Sequence, residues 1–418
     1  MHQVTRFRRF SSVTAALVAV SALALTGCSS NVAAQAPNPS AGAASTTPAA
    51  GACGSVPTIA PNDPNGLLKG FSAKAQAGYN AYPVAIQKSA WSGWKPSHAG
   101  PFTAVIVGMP PASAFIKTNL DAARAQLKAE NIKILGDFAP DSPSNVPLQI
   151  QQLQQAINLH PDIIILQAIA PDPVAPLVEA AGKAGIPVVA DYVPIDSPYA
   201  VTVTENPVLN ALEVSAGTLA ALGGKGNLLT VTGIPGITNE VFAQKGFSEA
   251  LKLCPDVKVV SSVNGLFEQS TARQATQQYL AAHPAGVDGV LQSGTMTAGI
   301  ISAFQQQGLT PPPIADLGAS QGSVAWAAKN PNYPYSGSAS HAVKAGQTSV
   351  EVALRILKGQ GPKVNQVVAA PEIFSASALK KSVQSSWSTG DVSDFVGDSN
   401  SVFPEGSLDE YFNKPAAQ

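Results

Sequence analysis

The sequence predicts an α/β protein of two similar lobes, each a parallel sheet flanked by helices, with a small-molecule cleft between facing strand ends. Three observations carry that reading. From Phe102 onward, short β-branched runs alternate with segments of helical periodicity, the pattern of βαβ units and so of parallel sheets. The alternation restarts at Gly226. A helix, a His-Pro stop and a buried strand also occur twice, at His160-Pro161-Asp-Ile-Ile-Ile-Leu166 and at His283-Pro284-Ala-Gly-Val-Asp-Gly-Val-Leu291, about one domain length apart. One long sheet is the competing topology.

Composition narrows the function before any motif does. A chain of 418 residues exceeds what one core usually serves, which favours two units plus tails. Lys and Arg number 25 against 26 Asp and Glu, and no basic block occurs outside the extreme N-terminus, so nucleic acid is excluded as a partner. Only 12% of residues are charged, so the surface is polar mostly without charge and suits no charged macromolecule as main ligand.

Taken in order, the chain opens with Arg6, Arg8 and Arg9 ahead of an apolar run from Val13 to Leu25 that is too short to span a bilayer comfortably. Residues 1–27 therefore read as a signal peptide. Leu25-Thr26-Gly27-Cys28 resembles the lipobox of bacterial lipoproteins, which implies cleavage before Cys28, lipid on that residue, and an extracytoplasmic chain anchored to the cell membrane. An ordinary secretory signal with a chance cysteine is the alternative. Residues 28–60, rich in Ala, Pro, Ser, Thr and Gly, have little to bury and are expected to form a disordered tether. Residues 61–101, with Phe71, Tyr79, Tyr82, Trp91 and Trp94, are expected to form a short lead-in packed on the outside of the first lobe.

The first unit begins at Phe102-Thr-Ala-Val-Ile-Val-Gly108, a buried strand, continues through a loop that Pro110-Pro111 keep out of a helix, and enters a helix with Ile116, Leu120, Ala123 and Leu127 on one face. A strand follows at Lys133 to Gly136, then Val146, Ile150, Leu153 and Ile157 at helical spacing, then the strand ending at Leu166. A helix from Val174 to Ala184 stops at Gly185 and feeds the strand Pro187 to Asp191. In the second unit, Gly226 to Thr232 and Val257 to Val263 are strands, and Thr238 to Leu253 and Gln269 to Ala282 are helices. Ligands of open α/β sheets sit outside the carboxyl ends of the strands, so the loop from Met109 to Phe115 is the first place to look for a site.

The order of these pieces resembles the type I periplasmic substrate-binding proteins of the ribose-binding family, the soluble receptors of ABC importers. The matching residues are Ala-Val-Ile-Val-Gly with Ala114-Phe115, Gly185-Ile-Pro-Val-Val-Ala-Asp191, Gln244-Lys-Gly-Phe247, the second His-Pro strand, and Val350-Glu-Val-Ala-Leu-Arg-Ile-Leu-Lys-Gly359. The resemblance implies two Rossmann-like lobes joined by three crossing strands, near Val203 to Asn206, Ser338 to Ser340 and Val367 to Ala369. Residues 102–204 plus 341–366 would form the N-terminal lobe, 205–339 plus 367–385 the C-terminal lobe, and 386–418 an extension. It also implies closure around a solute, delivery to an ABC permease with its ATPase subunit, and a monomeric receptor; a ligand sensor of the same fold without transport is the alternative. Sugar-binding members usually carry Asp-Arg, Asn-Asp and Asp at three cleft positions, where this chain has Asp191-Tyr192, Gly294-Thr295 and Leu317-Gly318. Only the first carboxylate survives, so an ordinary pentose or hexose contact set is not expected.

An enzyme reading fails on order. Gly318-Ala319-Ser320-Gln321-Gly322 fits the G-x-S-x-G elbow of a secreted hydrolase, but no acid lies between Ser320 and His341 and no histidine follows His341. Ser320 is expected to cap a helix instead. Five scattered histidines give no metal constellation, and no cofactor motif is present.

By position, Ser113 and Phe115, Asp191 and Tyr192, Thr238 and Asn239, Gln292, Thr295 and Ser340 are expected to line the cleft. That set carries two aromatic faces, one fixed negative charge and several neutral polar groups. It favours a neutral, sugar-like ligand, a polyol or a glycoside over an anion that Asp191 would repel. Cys53 and Cys254 are the thiols left once Cys28 is modified, and in an oxidising compartment they are either bridged or, for Cys254, ordinary core.

Overall fold

The computed structural model describes residues 51–414 apart from 112, 399–400 and 405. Cys28 and the signal segment lie outside the described residues. Two six-stranded sheets organise the rest. The first holds β1 (Thr103–Val107), β2 (Lys133–Phe138), β3 (Ile163–Leu166), β4 (Val188–Asp191), β5 (Ala200–Glu205) and β11 (Gln366–Ala369), in the order β11-β5-β4-β3-β1-β2 and all parallel. The second holds β6 (Lys225–Thr232), β7 (Asp256–Asn264), β8 (Gly289–Gln292), β9 (Ile314–Asp316), β10 (Ser336–Ser338) and β12 (Ile373–Ser375), in the order β12-β10-β9-β8-β6-β7. Only the β10–β12 pair is antiparallel.

Both sheets are covered on both faces, which is why inner strands such as β3, Ile-Ile-Ile-Leu, are continuously apolar. Successive residues of β1 feed opposite cores, Ala104 and Ile106 one and Val105 and Val107 the other. The same alternation splits Leu229 and Val231 of β6 from Leu228.

The chain passes between the sheets three times. β5 leads into α5 (Pro207–Ala221), which packs on α6 (Thr238–Leu251) beside the second sheet. β10 leads back into α10 (Ala342–Leu357), which packs on α2 (Ala114–Ala129) beside the first sheet. There a Cβ on Gly346 would lie 2.2 Å from the Asn119 carbonyl oxygen, so only glycine lets the two helices approach this closely. The third passage runs from β11 to β12 through residues 370–372.

The terminal segments are not peripheral. The tether expected through residue 60 ends earlier, because Cys53 is joined to Cys254 and the Ile59 amide donates to Asn80 Oδ1 at 2.7 Å. Leu68, Phe71, Tyr79, Tyr82 and Trp91 complete a core of the first lobe, whereas Cys53, Ile59 and Ala81 pack on the second. The lead-in therefore touches both lobes rather than the first alone. The C-terminal residues do the same: Phe395 belongs to the core of the second lobe, and Phe403, Leu408, Tyr411 and Phe412 to that of the first.

Candidate functional site

The site is the space between the lobes, about 1010 Å³ with its open mouth included, into which the carboxyl ends of both sheets project. From the first lobe the loop after β1 contributes Met109, Ser113, Phe115 and Ile116, and the end of β4 contributes Tyr192. Ser113 Oγ accepts from the Ile116 amide at 3.3 Å and so starts α2, while the rings of Phe115 and Tyr192 meet at 4.7 Å between centroids. From the second lobe come Ile234, Ile237 and Asn239 around the start of α6, Leu266 and Phe267 after β7, and Ser293 to Thr295 after β8.

The crossings supply the charged part. Glu205 ends β5, His341 precedes α10 and Glu372 precedes β12, so each crossing contributes one member of an ionic cluster. His341 Nδ1 lies 3.1 Å from Glu205 Oε1, and its Nε2 lies 3.4 Å from Glu372 Oε2, a distance of ion pairing outside good hydrogen-bond geometry. Burial alone would pull the His341 pKa down, but the two carboxylates hold it at about 10, so the ring stays protonated at neutral pH. Glu205 and His341 both line the cleft. Asn210 Oδ1 and Ser340 Oγ, close by, are shielded from solvent without a well-formed hydrogen bond, although Ser340 stands near enough to Asp394 to favour that carboxylate, whose pKa burial raises.

Backbone strain concentrates here. Tyr192, Leu266, Phe267 and Thr295 all have φ between 57° and 67°, a region that bulky L-residues avoid, and all four line the cleft.

Of the residues expected from sequence, Ser113, Phe115, Tyr192, Asn239, Thr295 and Ser340 are brought together around this space. Three are not. Asp191 is fully buried inside the first lobe, accepting from Ser349 Oγ at 2.7 Å, Gln167 Nε2 at 2.9 Å and Asn119 Nδ2 at 3.4 Å. Burial raises its pKa and these three donors lower it, leaving it above the ordinary range. Gln292 is fully buried and holds its own loop, donating to the Leu317 carbonyl at 3.0 Å and accepting from the Gly294 amide at 2.7 Å. Thr238 is buried in the first turn of α6 and does not line the space. Sequence reasoning missed Glu205, His341 and most of the apolar set: the resemblance placed a crossing over Val203 to Asn206, but nothing in the spacing shows which of its side chains faces the cleft. Ser320 caps α9 (Gln321–Lys329) as expected: its Oγ accepts from the Ser323 amide at 3.1 Å, and Ser323 Oγ accepts from the Ser320 amide at 3.1 Å.

With two lobes, three crossings and an interlobe cleft in place, the family profile described as a periplasmic binding protein domain matches residues 105–361. The chain belongs to the periplasmic binding protein family. Membership implies an extracytoplasmic location. A xylitol-binding protein of Mycolicibacterium smegmatis is 27% identical over 207 residues, which cover 49% of this chain and 58% of that protein. A galactofuranose-binding protein of Escherichia coli is 25% identical over 203 residues, covering 47% and 62%. The matched stretches thus span about three fifths of those two relatives. Among solved structures, an ABC transporter solute-binding protein of Mycobacterium smegmatis with bound glycerol superposes with a TM-score of 0.59 at 21% identity, covering 69% of this chain and 99% of that one. Another from Actinobacillus succinogenes, with bound D-allose, gives 0.57 at 21% identity, covering 68% and 100%. These structures establish a shared fold. Tyr192, Gly294-Thr295 and Leu317-Gly318, where the resemblance would place Arg, Asn-Asp and Asp, all lie in the cleft wall.

Proposed function

We propose that this protein is a monomeric solute receptor of an ABC importer, lipid-anchored through Cys28 outside the cell membrane, which closes its lobes on a neutral, hydroxylated ligand such as a sugar, a polyol or a glycoside. One observation carries the choice of ligand: among the described residues, the charged side chains that line the cleft are Glu205 and His341, of opposite sign and 3.1 Å apart, and neither Lys nor Arg lines it. With Glu372 also beside His341, the cluster holds two carboxylates against one imidazolium, which leaves hydrogen-bonding capacity without net attraction for an anion. Relatives named for xylitol and galactofuranose fit that chemistry. Glu205, Asn210, Ser340 and His341 would meet ligand hydroxyls, with Phe115 and Tyr192 offering ring faces. In this reading residues 102–204 with 341–366 move as one lobe and 205–339 with 367–385 as the other, the permease and its ATPase subunit receive the closed form, and no bond of the solute is broken.

A thermal-shift screen of polyols, sugars, glycosides and organic acids tests the ligand class. A ligand at a hundred times its dissociation constant stabilises the native state by about 2.7 kcal/mol. The largest shift is expected from a neutral polyhydroxylated compound; a carboxylate or phosphate giving the largest shift overturns the reading. Cys28→Ala is expected to release the protein from washed membranes.

A further inference from the structure

The order of strands converts the cleft lining into a map. β5, β10, β11 and β12 carry the crossings, while β1 lies three positions from β5 and β7 four positions from β10, on the order of 14 Å and 19 Å away at the usual interstrand spacing. Polar side chains gather at the crossing end: Asn210, whose Oδ1 lacks a well-formed hydrogen bond, and Ser340, beside Glu205 and His341. The remote end is different. There the first turn of α2 offers Ile116, and the loops after β6 and β7 offer Ile234, Ile237, Leu266 and Phe267. Of the polar side chains nearby, Ser113 is engaged with the Ile116 amide, Thr295 Oγ1 donates to the Phe267 carbonyl and Ser293 Oγ accepts from Gln244 Nε2 at 3.4 Å, which leaves Asn239 among the described residues.

The remote apolar wall is held in place at a conformational cost. Leu266 and Phe267 have φ of 58° and 63°, yet Leu266 remains 39% exposed. Phe267 is seated so tightly that a Cβ on Gly233 would fall 2.0 Å from its ring. Two adjacent large apolar residues in left-handed backbone, one of them uncovered, gain nothing from water; they gain from an apolar group laid against them.

We propose that the solute carries an alkyl or aryl substituent on its hydroxylated part, with hydroxyls at the crossing end and the substituent against Leu266 and Phe267. This rests on the receptor reading above and names the ligand class within it.

The test is isothermal titration calorimetry of free pentoses, hexoses and polyols beside their phenyl and hexyl glycosides or ethers, on the wild-type protein and on Leu266→Gly, which relieves the backbone rather than straining it. For at least one pair the substituted compound is expected to bind tenfold or more tightly than its parent. Leu266→Gly should remove most of that advantage, weakening the substituted compound several-fold more than its parent. If parents bind as tightly as their derivatives, or the variant weakens both equally, the inference falls and the receptor reading stands on the parents that bind. If neither parents nor derivatives bind, both fall.

Discussion

Asp191 and Glu205 end adjacent strands of one sheet, β4 and β5, and they have opposite fates. Asp191 is sealed inside its lobe by Ser349 on α10, Gln167 after β3 and Asn119 on α2; Glu205 faces the cleft and pairs with His341. Strand register explains the difference. Asp191 lies opposite Val203, so Glu205 stands two residues farther along the strand direction, about 7 Å nearer the other lobe at the usual rise. The second lobe repeats the inward choice: Asp316 ends β9, is buried, and accepts from the Tyr335 hydroxyl at 2.8 Å, with a pKa raised by burial. A carboxylate at a strand's end is thus a structural group in one position and a cleft group two residues later. The comparison shows that position along the strand, and not residue type, assigns the role.

The largest effect that sharpens this division comes from the bond that is wholly structural. Cys53→Ser opens a closure of 201 residues between the lead-in and the second lobe, which the chain-entropy relation values at about 5 kcal/mol as an upper figure. Urea unfolding should show that loss while the affinity for a ligand found by screening stays unchanged.

Substituting the two carboxylates divides them directly. Asp191→Ala leaves Ser349, Gln167 and Asn119 facing an empty buried position and should cost about 2–4 kcal/mol in stability with little change in affinity. Glu205→Gln, which takes one of the two carboxylates from the buried His341 ring, should also lower the melting temperature, but it alone should weaken ligand binding, about tenfold or some 1.4 kcal/mol. Equal losses of affinity in both variants would break the comparison.

A smaller effect follows from His341. Its folded pKa of about 10 lies above the ordinary 6.5, so the cluster's contribution to stability is complete below pH 6.5, declines as pH rises, and is gone above about pH 10. The stability difference between wild type and His341→Gln should therefore shrink across that window. A difference that grows with pH would mean the ring is neutral in the folded protein.

Much of the fold was legible because its causes are local. A short apolar run rich in β-branched residues, such as Ile163 to Leu166, suits a strand covered on both faces, and the periodic set Leu120, Ala123, Leu127 suits one buried helix face. α5 escaped that logic. Val208, Leu209, Ala211, Leu212 and Val214 are buried nearly all round it, so it shows no single apolar face to read.

What the sequence by itself determined is the alternation of strands and helices, the doubling of the pattern, the chain's near neutrality and the loops at which a site could form. The alternation and the loops depend on residues a few positions apart, and the doubling and the charge are read by comparing and counting along the chain. What only the tertiary structure decided is which carboxylate faces the cleft, that Cys53 meets Cys254, that both terminal segments pack on both lobes, and that Glu205, His341 and Glu372 form one cluster from three separate crossings. Glu205 and His341 are 136 residues apart along the chain. Contacts of that kind arise from strand register and lobe crossing, and one-dimensional periodicity carries no information about either.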